Sequence, residues 1–170
     1  MIAMAPGIPA FTVLVLVVLS VMPWGVGPSF HFVLPVMPFA AVHFWARAQS
    51  HLLPTAFVFA AGLAVDVLSY GPLGYWSLVY LTGLGLTVVS DRIGARSGFS
   101  DWLGFTFVMA GLALAAWLLA SAYFVRLIDW KPMAWAAVLL ALIYPVTQAV
   151  LRPLERWMSG PRALNLERRM

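Results

Sequence analysis

Residues 102–124 read WLGFTFVMAGLALAAWLLASAYF, a run without a single charged side chain. About 20 consecutive apolar residues suffice for a helix to cross the hydrocarbon core of a bilayer, so this segment predicts a membrane span. The rest of the chain agrees with it. Of 170 residues, 63% are hydrophobic and only 9% charged, where a soluble domain has roughly 25% charged residues. That leaves too little polar surface to face water. The length holds six or seven spans with short connections. The expectation is therefore an all-α integral membrane protein, with one bundle of about six transmembrane helices over residues 1–157 and a basic cytoplasmic tail over 158–170.

Five further apolar runs complete the bundle. The first, 8–24, lacks a basic flank and a small-residue cleavage site, so it reads as a retained span rather than a signal peptide. The second, 32–46, contains Pro35 and Pro38; it either begins near Pro35 and is short, or it is kinked. The third, 54–69, opens at Pro54, a residue suited to a first helical turn. Tyr70-Gly71-Pro72-Leu73-Gly74 then makes a tight reversal into a fourth run over 75–90. Ser100 and Asp101 are N-cap candidates for the run at 102–124. The sixth, 132–151, opens at Pro132 and carries Pro145 as an expected kink.

Charge sets the orientation. With the amino terminus cytoplasmic, the inner segments hold Arg47, Arg92, Arg96, Arg152, Arg156, Arg162, Arg168 and Arg169, and the outer ones only Arg126 and Lys131. That asymmetry is the positive-inside pattern, and it places both termini in the cytoplasm. The tryptophans follow it: Trp24, Trp76, Trp130 and Trp135 fall at outer helix ends, and Trp45, Trp102 and Trp157 at inner ones. The net charge of +4 thus orients the chain and does not point to nucleic acid. In the tail, Arg152, Arg156 and Trp157 suit contact with lipid headgroups; a cytoplasmic partner is the second reading of the same residues. Ala60 with Ala64, Gly111 with Ala115, Ala116 with Ala120 and Ala137 with Ala141 are small pairs at four-residue spacing, which lets membrane helices approach closely.

The absence of cysteine excludes disulfides and thiolate metal sites. His31, His43 and His51 have no second ligand type at ligand spacing, so no metal or cofactor is expected. His43 and Arg47 share a helix face and read as an interfacial pair. Asp66 stands out, roughly 18 Å into the third span at 1.5 Å per residue, where an ionisable group is costly. One reading makes it a ligand-binding, proton-linked or partner-contacting carboxylate. The other makes it structural, with Asp66 and Ser69 accepting hydrogen bonds from the Gly71–Gly74 turn and the start of the fourth helix. No second span carries a convincing acid, since Asp91, Asp101 and Asp129 fall at helix ends, and no phosphate loop or dinucleotide fingerprint is present. Catalysis is not expected.

The segment from Gly62 to Gly74, GLAVDVLSYGPLG, resembles the signature of the rod shape-determining MreD family, in which the third span ends in Gly-x-x-x-Asp-x-x-Ser, then a short turn and Leu-Gly. Gly62, Asp66, Ser69, Leu73 and Gly74 match that pattern, with Pro72 inside the turn. Chain length, span number, Met22-Pro23-Trp24 and Pro35 are also similar to the family, whereas Val36 stands where the family often has a polar residue. The resemblance implies a non-catalytic scaffold of the bacterial cell-elongation machinery in the inner membrane. Its implied partners are an MreC-like bitopic protein, peptidoglycan synthases and MreB-like filaments on the cytoplasmic side, with Gly62, Asp66, Ser69, Pro72, Leu73 and Gly74 as a structural or partner-docking motif.

The family is similar in fold to the substrate-binding subunits of energy-coupling-factor vitamin transporters, which supplies an alternative function. Against it, the first span, Thr12 to Leu19, lacks the alanine pair that those subunits use for coupling, and the outer loops are short and poor in polar ligand groups.

Overall fold

The computed structural model describes residues 7–25, 27, 32–93 and 98–159. Among them are six α-helices and no strand: α1 Gly7–Val21, α2 Val33–Ala48, α3 Thr55–Leu68, α4 Tyr75–Ile93, α5 Gly98–Tyr123 and α6 Lys131–Ser159, with a short 3₁₀ turn at Ser50–Leu52 after α2. At 26 and 29 residues, α5 and α6 are about 39 and 44 Å long. These two are long and apolar enough to cross a membrane. The shorter apolar helices α1, α2 and α3 have 15, 16 and 14 residues, roughly 21–24 Å each.

Prolines set several boundaries, though not always as expected. Pro54 is extended (φ −63°, ψ 144°) and caps α3 rather than opening it. Its carbonyl accepts the first helical bonds, from the N–H groups of Phe57 and Val58. α2 begins at Val33, two residues before Pro35, and runs through Pro38. α5 begins at Gly98, so Ser100 and Asp101 lie within its first turn instead of before it. α6 extends to Ser159, past Pro145 and Pro153 and past the expected end at 151. A proline removes the N–H that would bond the carbonyl four residues earlier. For Pro145 that carbonyl belongs to Ala141, and it accepts the Trp102 indole N–H at 2.8 Å instead. Of the tail, 160–170 with Arg162, Arg168 and Arg169 lies outside the described residues, as does Arg96.

Consecutive helices pack against one another from α3 to α6, and α2 closes the bundle by touching α1, α4 and α6. Eleven of its sixteen residues are buried, which makes it the central helix. Its own Phe39 and Trp45 and the surrounding Tyr80, Phe105 and Tyr144 are each at most 1% exposed. Phe105 and Tyr144 stack with centroids 3.8 Å apart. Trp45 and Trp76, expected at interfacial helix ends, are buried in the core, and the Trp45 indole donates to Thr12 Oγ1 of α1 at 2.9 Å. Among the small pairs, Ala116, Ala120, Ala137 and Ala141 are buried, while Ala60 is exposed.

The outward faces are apolar. Phe11, Leu14 and Val18 of α1, Phe107, Leu114 and Leu118 of α5, and Leu142, Val146 and Val150 of α6 are all more than 45% exposed. Large exposed apolar surfaces mark sites that meet a membrane or another protein.

Candidate functional site: the Asp66 corner

The joint between α3 and α4 collects every residue of the Gly62–Gly74 motif. Asp66 is fully buried in the last turn and a half of α3. Its Oδ1 accepts the Trp76 N–H and its Oδ2 accepts the Gly74 N–H, both at 2.9 Å. The first N–H groups of a helix have no intrahelical acceptor, so this carboxylate caps α4 from a neighbouring helix and gains from the positive end of its dipole. The Asp66 main-chain carbonyl takes the Gly71 N–H at 3.0 Å. One residue thus ties down three points of the reversal.

The chain reaches this geometry through two left-handed residues. Gly74 has φ +88°, which glycine adopts without penalty. Tyr70 has φ +54° and carries a strained backbone for a side chain that is 97% exposed. Ser69 does not accept from the turn as expected; its hydroxyl donates to the Asp66 carbonyl at 3.5 Å. Pro72 is half-buried, and its carbonyl accepts the Tyr75 N–H at 3.2 Å. Leu73 projects outward, 73% exposed.

Gly62 explains why the helices meet so closely. A Cβ there would lie 2.5 Å from the Ser77 Cα and 2.8 Å from the Trp76 carbonyl oxygen, so α3 and α4 touch backbone to backbone. Ser77 bridges the same contact, its hydroxyl donating to the Phe59 carbonyl at 3.2 Å. The corner is then joined to the rest of the bundle: the Tyr75 hydroxyl donates to Ala116 of α5 at 3.0 Å and the Tyr80 hydroxyl to Pro35 of α2 at 2.6 Å. Chemically, the carboxylate is engaged by backbone donors and aimed into the joint, while Val67, Leu68, Ser69, Tyr70 and Leu73 are exposed, Tyr70 and Leu73 most of all the hydrophobic ones.

The opposite end of the bundle holds a feature that the separate reading of helix ends did not assemble. The Arg47 side chain, 9% exposed, lies 3.3 Å from Asp91 and 3.1 Å from Asp101, and Arg152 lies 3.7 Å from the second Asp101 oxygen. The ends of α2, α4 and α6 and the start of α5 are thereby drawn together. His43 is not interfacial. It is fully buried, with Nδ1 2.9 Å from Thr87 Oγ1 and its ring edge-on to Phe105 and Tyr144. Arg156 and Trp157 are exposed on the last turns of α6. No group of three or more potential metal ligands occurs among the described residues.

No protein-family model, curated protein or solved structure matches the chain.

Proposed function

We propose that this chain is a multi-pass inner-membrane scaffold of the bacterial cell-elongation machinery, similar to the MreD proteins, acting without catalysis. The observation that carries the reading is the Asp66 corner. A motif matching that family's signature is used here as a joint: its carboxylate is consumed inside the turn, and Tyr70 and Leu73 are among the side chains presented outward. A carboxylate held by two backbone N–H groups supports a structural role over a catalytic or ligand-binding one.

Six passes with both termini cytoplasmic agree with the exposed apolar faces and with the charge distribution. Arg47 and Arg152 meet at one end of the bundle, whereas Arg126 and Lys131 follow the far end of α5 and open α6. Helices α1 to α3 are shorter than the ~30 Å hydrocarbon core, a mismatch that bilayer thinning and flanking residues accommodate. The helices then meet the single span of an MreC-like bitopic protein and the wall synthases, and the Arg47 end faces MreB-like filaments.

One observation favours the vitamin-transporter alternative: a groove of about 420 Å³ between α5 and α6, lined by Ala113, Trp117, Met133 and Ala137, near the end where Tyr75 meets Ala116. Asp66 does not line it, which weakens that reading.

Mass spectrometry of proteins co-purifying with the carboxyl-terminally tagged chain separates the two. A bitopic coiled-coil protein with peptidoglycan synthases supports the scaffold; a paired ATPase module with its membrane coupler would overturn it.

A further inference from the structure

At the end of the bundle away from Asp66, a cavity of about 170 Å³ opens between α2, α5 and α6, lined by Arg47, Asp101, Tyr144, Gln148, Arg152 and Glu155. The volume far exceeds the ~10–15 Å³ that admits one water. Its inner wall is already engaged: Arg47 stands between Asp91 and Asp101, nine-tenths buried. Its mouth is not. Arg152 contacts Asp101 only at 3.7 Å and Gln148 at 3.5 Å, and is 40% exposed. Glu155, three residues further along α6, makes no ion pair or hydrogen bond among the described residues, although it lines the same cavity. Among the described residues that line the cavity, two cations, Arg47 and Arg152, stand with two carboxylates, Asp101 and Glu155, and Glu155 is the one of the four without an ionic partner. A complementary ligand brings an N–H-bearing cation for the carboxylates and, close beside it, an anion for Arg152.

Arg156 and Trp157 stand exposed just beyond the mouth, the residue types that settle in the headgroup layer. We infer that this cavity binds the phosphoethanolamine headgroup of a cytoplasmic-leaflet phospholipid, its ammonium against Glu155 and Asp101 and its phosphate against Arg152. The inference rests on the membrane reading given above. The chemistry discriminates among lipids. A choline headgroup has a cation without N–H donors, and a glycerol headgroup has no cation at all. Neither satisfies Glu155.

Native mass spectrometry of the full chain, delipidated and then titrated with phosphatidylethanolamine, phosphatidylcholine or phosphatidylglycerol, tests the site. The expected result is one ethanolamine lipid retained in preference to either competitor, with retention weakened at least about tenfold by Glu155→Gln, the scale of one charged hydrogen bond. Arg152→Gln is expected to weaken it as well, and the ranking of lipids on the unmodified chain stands even if a variant folds poorly. Equal retention of the three lipids, or retention unchanged by Glu155→Gln, would overturn the site. So would soluble glycerophosphoethanolamine binding as tightly as the lipid. A chain that fails to partition into membranes overturns the membrane reading and this site with it, whereas an inserted chain without lipid preference overturns the site alone.

Discussion

Trp102 donates its indole N–H to the Ala141 carbonyl at 2.8 Å, the carbonyl that Pro145 leaves without its helical partner. Two features that look independent in sequence are thus one device, in which an aromatic on α5 makes a proline tolerable in the middle of α6. In an apolar surrounding a freed carbonyl must find another donor. Trp102→Phe should destabilise the chain by about 1–2 kcal/mol, the value of a buried hydrogen bond and its orphaned acceptor. In the Pro145→Ala background the backbone N–H returns to Ala141, and the same Trp102→Phe change should cost much less. A double-mutant cycle measured by unfolding in micelles checks the coupling; equal costs in the two backgrounds would show that the contact is incidental.

The Asp66 side chain supplies both acceptors that Gly74 and Trp76 use. Asp66→Ala leaves one buried and one half-buried N–H group unpaired, a loss of about 2–5 kcal/mol. Asp66→Asn keeps one acceptor oxygen and turns an NH₂ toward the other donor, so roughly half of that loss is expected. A stability series in the order wild type, Asn, Ala supports the joint. If Asn and wild type are equally stable and differ only in partner recovery, the charge has a role in binding that the joint does not explain.

Two glycines in the same corner should fail for different reasons. Gly62→Ala drives a methyl into the Ser77 backbone, and overpacking of that kind costs about 1–3 kcal/mol or more. Gly74→Ala meets open space, so its cost is confined to the left-handed φ of +88°, about 1–2 kcal/mol. Chemical cross-linking between α3 and α4 should therefore change for Gly62→Ala and stay as in wild type for Gly74→Ala.

Tyr70 and Leu73 allow the docking role to be separated from the structural one. Both side chains are exposed, so Leu73→Ser should leave the unfolding midpoint where it is, and Tyr70→Gly should raise it slightly by relieving the φ of +54°. Under the proposed function, either change lowers recovery of the bitopic and synthase partners in co-purification. Unaltered recovery with both would remove this surface from the interface.

What the sequence made legible was local. The run at 102–124 carries its own length signal, and the Gly62–Gly74 segment carries its own turn chemistry, so α5 and the corner were expected nearly where they occur. Trp45 read as an interfacial anchor because its partner, Thr12, lies 33 residues away on another helix. The sixth apolar run ends at 151 in the sequence because charged residues follow it, whereas α6 continues through Pro153 to Ser159. In the sequence Arg47 reads as a partner of His43, Arg152 as a headgroup contact, and Asp91 and Asp101 as helix ends, so none of the four points to another. The alternation of helix directions had already put all four at the same end, and opposite charges gathered there were the available signal for a cluster.

That cluster yields the sharpest test of how the bundle is closed. Arg47 is the common partner of Asp91 and Asp101, and the space for its guanidinium depends on Gly104, where a Cβ would fall 2.9 Å from Nη1. Removing one member of a buried ion pair leaves an uncompensated charge and costs about 3–5 kcal/mol. Arg47→Met should therefore destabilise the chain strongly, while Arg47→Met with both Asp91→Asn and Asp101→Asn should recover most of the loss, because the two carboxylates left without Arg47 no longer carry charge. Arg47→Lys should fall between them, since a point charge cannot serve two carboxylates with the reach of a planar guanidinium. Unfolding in detergent across these four chains checks the order. If the triple variant is no more stable than Arg47→Met, the cost comes from lost packing of the arginine stem, and the charges at this end hold α2, α4 and α5 together less than their distances suggest.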